Sequence, residues 1–328
     1  MLEHGGQINA AALRYGIPVA EWLDLSTGIN PIPFVPPAIP VAVWQRLPQE
    51  QDGLVQAAAD YYGTTNLLPV AGSQAAIQLL PQLRSRGRVG VLHPAYAEHA
   101  HAWRSAGHEV VDLSPPKIDA SIDQLDVLVL IQPNNPTGAL LTHAQLHEWH
   151  ASLAARKGWL IVDEAFIESS PQRSIVQADM PQGLIVLRSL GKFFGLAGAR
   201  VGFILAQDEL LTRMQTLSGP WSVAGPSRFV AHAALLDRPW QAETKARLQQ
   251  EGARLAQLLH DANLIPGGGC GLFQWVQTGQ AESIHQQLAQ RGILTRLFTQ
   301  PHSLRFGLPG SVAEWQRLNT ALKQITLT

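Results

Sequence analysis

Six short apolar runs, at Arg88–Leu92, Glu109–Leu113, Val127–Ile131, Trp159–Asp163, Leu184–Arg188 and Val201–Leu205, lack the polar alternation of a half-exposed strand. A strand with one wet face alternates, whereas a strand covered on both faces does not. Helical segments such as Glu98–Ala106 and Thr142–Arg156 lie between several of the runs. Strand and helix in turn imply an α/β chain built on an open, mostly parallel sheet covered by helices. A length of 328 residues leaves room for that domain and a smaller one. The texture changes past about Gly219-Pro220. Long amphipathic helices at Arg238–Ala262, Glu282–Arg291 and Val312–Ile325 there separate brief strand candidates at Leu272–Val276 and Ser303–Gly307, which is the pattern of an α+β domain. Pro31 to Pro40 is too rich in proline for regular helix or central strand and reads as a connecting arm. The expected division is 44–220 for the large α/β domain, and 1–43 with 221–328 for the small domain and its N-terminal arm.

Hydrophobic residues at 46% and charged residues at 15% argue against disorder, and no internal repeat is visible. The formal net charge is −1 with no long basic run, so neither nucleic acid nor a membrane surface is the expected partner. Apolar stretches such as Val127–Ile131 are far shorter than the roughly 20 residues that span a bilayer. Cys270 is the only cysteine, which excludes an intrachain disulfide and fits a reducing compartment. Met1-Leu2-Glu3-His4-Gly5-Gly6 lacks the basic and apolar segments of a signal peptide. A soluble cytoplasmic protein is expected.

The chemistry concentrates in a few segments. Lys192 lies in a glycine-rich, otherwise apolar loop, Ser189-Leu190-Gly191-Lys192-Phe193-Phe194-Gly195, which continues to Arg200-Val201-Gly202. An ammonium resists losing its water without a partner, and covalent attachment to an aldehyde resolves that problem. Ser189 and Arg200 flank the lysine with a hydroxyl and a guanidinium, both suited to a phosphate. Taken alone, Lys192 also reads as a surface lysine. Asp163 closes a strand, and a carboxylate there can keep a pyridine nitrogen protonated; it reads equally as a helix N-cap. Gln132-Pro133-Asn134-Asn135-Pro136-Thr137-Gly138 forms an irregular turn in which Asn135 can present its amide to a phenolic oxygen, or serve the turn alone. Gly72-Ser73-Gln74 precedes a helical segment and could meet an anion, as could many helix starts.

In order and spacing these segments resemble the class I/II family of pyridoxal-phosphate enzymes, which share the aspartate aminotransferase fold. The likeness runs from about Gly72 to Gly202, with a further match near Arg305. It implies the PLP-dependent transferase fold (fold type I) and pyridoxal 5'-phosphate as cofactor. By resemblance Lys192 is the Schiff-base lysine, Asp163 pairs with the pyridine nitrogen and Asn135 contacts the ring hydroxyl. Gly72, Ser73, Gln74, Ser189 and Arg200 would cradle the phosphate, and Tyr96 would stack on the ring. Arg305, in Ser303-Leu304-Arg305-Phe306-Gly307, matches the arginine that takes a substrate α-carboxylate. The sequence departs from the family pattern twice. Phe166 stands where a tyrosine is frequent, and Leu47 replaces the tyrosine of Arg-Tyr-Pro that reaches a neighbouring subunit's phosphate.

Further segments extend the likeness over nearly the whole chain, toward the threonine-phosphate decarboxylase branch that serves cobalamin biosynthesis. They are His4-Gly5-Gly6, Leu23 to Pro31, Asp163 to Ile167, Leu187 to Leu190 and Pro220 to Val223. That branch implies a homodimer that decarboxylates a small phosphorylated amino acid, L-threonine O-3-phosphate, to (R)-1-amino-2-propanol O-2-phosphate. Arg296 and Arg305 are expected to hold substrate carboxylate and phosphate, with Asn30 and the His4-Gly5-Gly6 arm closing the site. Histidinol-phosphate-type aminotransferases are the nearest sibling and would share every cofactor residue. Phe166, Leu47 and the His-Gly-Gly arm lean away from them. A binding protein without catalysis would have no need of Lys192, Asp163, Asn135 and Arg200 together. His143, His147 and His150 read as a solvated helix face rather than a metal site, and Cys270 reads as a small loop residue.

Overall fold

Each of the apolar runs forms a strand, to within a residue at the ends. In the computed structural model, which describes residues 4–326, thirteen strands follow in chain order among the described residues. They are β1 (Leu23–Asp24), β2 (Leu67–Val70), β3 (Arg88–Leu92), β4 (Glu109–Leu113), β5 (Val127–Ile131), β6 (Trp159–Asp163) and β7 (Leu184–Ser189). β8 (Gly202–Leu205), β9 (Gly268–Cys270), β10 (Phe273–Gln277), β11 (Ile293–Leu294), β12 (Arg296–Thr299) and β13 (His302–Gly307) complete the set. Met1, Leu2 and Glu3, part of the N-terminal segment read above, lie outside the described residues.

The larger unit comprises residues 33–135 and 140–242 and is built on a seven-stranded sheet of order β2-β8-β7-β6-β5-β3-β4. β3 to β7 run parallel, and β8 alone opposes its neighbours β7 and β2. Every residue of β5 is buried, which is why that run carries no polar alternation. From β3 the chain adds β4 on one side and then crosses to β5 on the other. This reversal opens a crevice beyond the carboxyl ends of β3 and β5, the place where open α/β sheets take ligands. Helix 143–154 begins with a reciprocal capping box between Thr142 and Gln145, which stops the chain cleanly after the β5 turn.

Among the described residues, the smaller unit comprises 4–32, 136–139 and 243–326. It carries an antiparallel sheet of order β12-β13-β10-β9 and a parallel pair, β1 with β11. Contacts group 33–43 and 221–242 with the sheet unit, although the sequence changes texture earlier. Aromatic packing is the reason: Phe34 meets Trp240 edge-on at 5.5 Å, and Trp240 stacks on Phe194 at 5.6 Å. The Phe34 N–H also donates to the Phe194 carbonyl at 2.9 Å. The arm and the first turn of helix 238–261 are thereby tied to the lysine loop.

Candidate active site

Asp163 ends β6 beside that crevice and is only 4% exposed, so its oxygens need partners within the protein. Oδ1 accepts the Ala165 N–H at 3.0 Å, and Oδ2 lies 2.9 Å from Nε2 of His99, itself 1% exposed. His99 rides on helix 97–105, which follows β3 by way of His93-Pro94 and Tyr96. Sequence reasoning missed His99. The one available signal was its spacing: three residues past Tyr96, it must share a helix face with that ring. The two rings meet edge-on at 6.3 Å. The Tyr96 hydroxyl donates to Gln74 Oε1 at 3.2 Å, and Gln74 Nε2 donates to Glu98 Oε2 at 2.9 Å. Burial, with Glu98 and Asp163 adding to it, pushes the Tyr96 hydroxyl up to about 12, so it remains a donor at neutral pH. Gln74, Tyr96, His99 and Asp163 therefore form one connected group. His99→Ala strands a buried carboxylate oxygen and is expected to cost about 1–3 kcal/mol of stability. Thermal unfolding checks this, and an unchanged midpoint contradicts it.

The lysine loop joins β7 to β8. Antiparallel pairing sets Ser189 opposite Gly202, and Gly202 lies opposite Val70 on β2. This brings Gly72-Ser73, Ser189 and Arg200 to one corner. Gly72 has φ +74, and a Cβ there would sit 2.7 Å from Nη2 of Arg200. A Cβ at Gly202 would come within 2.5 Å of the Ser73 nitrogen. Only glycine permits both approaches. The corner offers a guanidinium, two hydroxyls and backbone N–H groups, the donor set of a phosphate cradle. Lys192 is half-buried, with Nζ 5.4 Å from the centre of the buried Phe166 ring. Asn135 ends the turn after β5. Buried Gln132 braces that turn, donating to the Arg173 carbonyl and accepting the Leu141 N–H, while Asn134 donates to the Pro94 carbonyl. All nine residues assigned by resemblance to the cofactor thus lie in the sheet unit.

The residues expected to take substrate all lie in the smaller unit. Arg305 on β13 faces Arg296 on β12 and Trp275 on β10. It is 6% exposed and donates from Nη2 to the Ser26 carbonyl at 2.8 Å. The Gly6 N–H donates to Ser26 Oγ at 2.7 Å, and a Cβ on Gly5 would run into the Ser26 carbonyl. Ser26 therefore joins the His4-Gly5-Gly6 arm to Arg305. His4 and Arg296 line one cavity of about 500 Å³. Burial first, and then the Arg296 guanidinium, lower Arg305 to about 10, which leaves it cationic at neutral pH. Like charges set opposite each other on neighbouring strands repel, and an anion bound there would relieve the cost. Asn30 is buried, and its Oδ1 accepts from the Ile32 N–H at 3.1 Å and from Arg247 at 3.0 Å.

The His143 and His147 rings lie 6.3 Å apart, whereas His150 turns to the Gln182 carbonyl at 2.8 Å. Among the described residues no group of three or more His, Cys, Asp or Glu could hold a metal ion. Cys270 sits in β9, where burial pushes its thiol up to about 11, so it is no ready nucleophile. Leu47 is exposed.

Comparison with known proteins identifies the family. The family described as aminotransferase class I and II matches residues 45–324. The chain is 54% identical over 322 residues to the threonine-phosphate decarboxylase of Pseudomonas aeruginosa, covering 98% of this chain and 97% of that protein. It is 42% identical over 334 residues to a threonine-phosphate decarboxylase of Sinorhizobium, covering 99% and 98%. Among solved structures, histidinol-phosphate aminotransferase from Sinorhizobium meliloti in complex with pyridoxal-5'-phosphate aligns with a TM-score of 0.85. That alignment covers 98% of this chain and 94% of the other at 20% identity, a likeness of fold.

Proposed function

The chain belongs to the aminotransferase class I and II family, and on that premise we propose that it is a pyridoxal-phosphate decarboxylase of L-threonine O-3-phosphate. The observation that carries this reading is the near full-length identity to threonine-phosphate decarboxylases from two organisms. The product is (R)-1-amino-2-propanol O-2-phosphate, which we assign to the nucleotide-loop linker of cobalamin. The described sheet unit fits the cofactor. The Gly72–Arg200 corner has an anion's donor chemistry, and a buried carboxylate, Asp163, stands at the strand end. Gly72, Ser73, Gln74, Ser189 and Arg200 would hold its phosphate, Tyr96 and Asn135 its ring, and Lys192 its aldehyde carbon. When bound, pyridoxal phosphate supplies a conjugated electron sink for the charge left on the substrate's Cα as carbon dioxide departs.

The chain's own residues do the rest. Asp163, oriented by His99, holds a proton on the ring nitrogen by placing a fixed negative charge beside it. Lys192 Nζ, against the apolar Phe166 ring, holds and returns a proton at the substrate's Cα. Arg296 and Arg305 bind the substrate's carboxylate and phosphate, with the His4-Gly5-Gly6 arm and Asn30 excluding water. A buried guanidinium of fixed direction would orient that carboxylate better than a mobile ammonium. Arg296→Ala and Arg305→Ala should each raise KM for L-threonine O-3-phosphate about 10- to 100-fold, the weight of about 1.5–3 kcal/mol for a hydrogen bond to a charged group. Steady-state carbon dioxide release measures this. A parental KM in both variants contradicts it.

Exposed Val41, Trp44 and Leu47 on one short segment, with Trp221, give the sheet unit an apolar surface that we assign to a homodimer face. No described helix is long and apolar enough to cross a membrane, and with a single cysteine we place the enzyme in the cytoplasm.

A further inference from the structure

Two carboxylates and one guanidinium lie buried in the sheet unit, outside the residues assigned to cofactor or substrate. Arg188, on β7 next to Ser189, donates from Nη1 to Glu164 Oε2 at 2.9 Å and from Nη2 to Glu168 Oε1 at 3.1 Å. Its guanidinium also lies over the Tyr62 ring at 4.7 Å. The three side chains are at most 5% exposed, so a charge here needs full compensation from its neighbours.

The two acids are not equivalent. Glu164 accepts from Ser174 Oγ at 2.6 Å, from the Ile175 N–H at 2.8 Å and from Arg188. Three donors from other residues favour the ionised form. Glu168 has two donors, Arg188 at its Oε1 and its own backbone N–H, while its Oε2 is buried without a partner from another residue. One guanidinium neutralises one acid, and the carboxyl with an oxygen left dry is the one that keeps its proton. Burial pushes both glutamates above the ordinary carboxylate range, opposed in each by Arg188.

The cluster's place in the chain gives it leverage. Glu164 follows Asp163 directly, and Arg188 precedes Ser189 and the Lys192 loop. Glu164 and Glu168 bracket Phe166, whose ring faces Lys192 Nζ. The Glu164 N–H also donates to the Leu187 carbonyl at 2.9 Å, so backbone and ion pair join the two strands just where Asp163 and Ser189 leave them.

We propose that Arg188 is a positioning residue, which works through its ion pair with Glu164 to hold Asp163 and the lysine loop in place, and that Glu168 is carried as the neutral acid of the cluster. The inference rests on the assignment of Lys192 and Asp163 to the cofactor.

Glu164→Gln and Glu168→Gln separate the two roles. Glu168→Gln exchanges a neutral acid for a neutral amide of nearly the same shape. The unfolding temperature of its cofactor-free form, its kcat and the pH midpoint of the holoenzyme's visible absorbance all stay at parental values. The infrared carbonyl band of a buried protonated carboxyl disappears. Glu164→Gln removes the better hydrogen-bonded of the two acids that Arg188 joins, so the cofactor-free protein melts several degrees lower and the absorbance midpoint moves. Its kcat falls about tenfold or more, the loss expected when an outer contact that orients a site is removed, while KM holds. Should Glu164→Gln fail to fold, Arg188→Lys, which keeps the charge but loses the fork, carries the same absorbance and kcat tests. Equal effects from the two glutamine variants, a persistent infrared band, or an unmoved absorbance midpoint in Glu164→Gln overturn the proposal. A chain that takes up no pyridoxal phosphate sinks the functional reading instead, and the melting and infrared measurements still decide the cluster.

Discussion

Lys192→Ala protein, purified in excess pyridoxal phosphate, is expected to be colourless after desalting and to have lost nearly all decarboxylation. Loss of proton transfer alone removes about 10²–10⁴-fold from the rate. Loss of the covalent attachment adds to that, because substrate amine must then capture an untethered aldehyde. Lys192 sits half-buried against Phe166, in a loop whose two ends are pinned by the pairing of β7 with β8. The substitution therefore removes a function without removing a fold, and the unfolding temperature of the cofactor-free protein should hold. Retained colour with parental turnover contradicts the assignment of Lys192.

Asp163→Asn is the second large effect. The change is isosteric, yet it puts a neutral amide where a buried carboxylate faced His99 at 2.9 Å. Without the fixed negative charge, nothing at this position holds a proton on the ring nitrogen, and the electron sink weakens. Removing one preorganised electrostatic contact of this kind costs about 10²–10³-fold in kcat. KM for substrate should change little, since Arg296 and Arg305 are untouched. Stopped-flow absorbance and steady-state rates measure both quantities. A kcat close to the parent's would show that Asp163 has a structural role alone, the helix-cap reading its sequence also allows.

Much of the sheet was legible because burial on both faces leaves an unmistakable pattern, as in Val127–Ile131. β2 was not. It contains Pro69, which argues against a strand, but it lies at the sheet's edge, where a missing N–H is tolerated. β9, Gly268–Cys270, looks like a loop in sequence and is held as a strand by pairing with β10. The reversed direction of β8 leaves no trace in periodicity. The lysine loop and Asn-Pro-Thr-Gly turn, which resemble the family's, made the residues proposed for the cofactor readable. The groups behind them were hidden for a physical reason. His99 and the Arg188–Glu164–Glu168 cluster act through contacts between distant segments, and His99 and Asp163 are 64 residues apart in sequence. The aromatic set of Phe34, Phe194 and Trp240 escaped for the same reason, and with it the contact boundary of the two units.

The most direct measurement mixes purified holoenzyme with L-threonine O-3-phosphate in the absence of any keto-acid acceptor and follows carbon dioxide and amine products together. A decarboxylase of the kind proposed releases carbon dioxide and 1-amino-2-propanol phosphate in equal amounts over many turnovers. A single half-turnover that bleaches the cofactor to its amine form, with activity restored by 2-oxoglutarate, would contradict it and make the enzyme an aminotransferase.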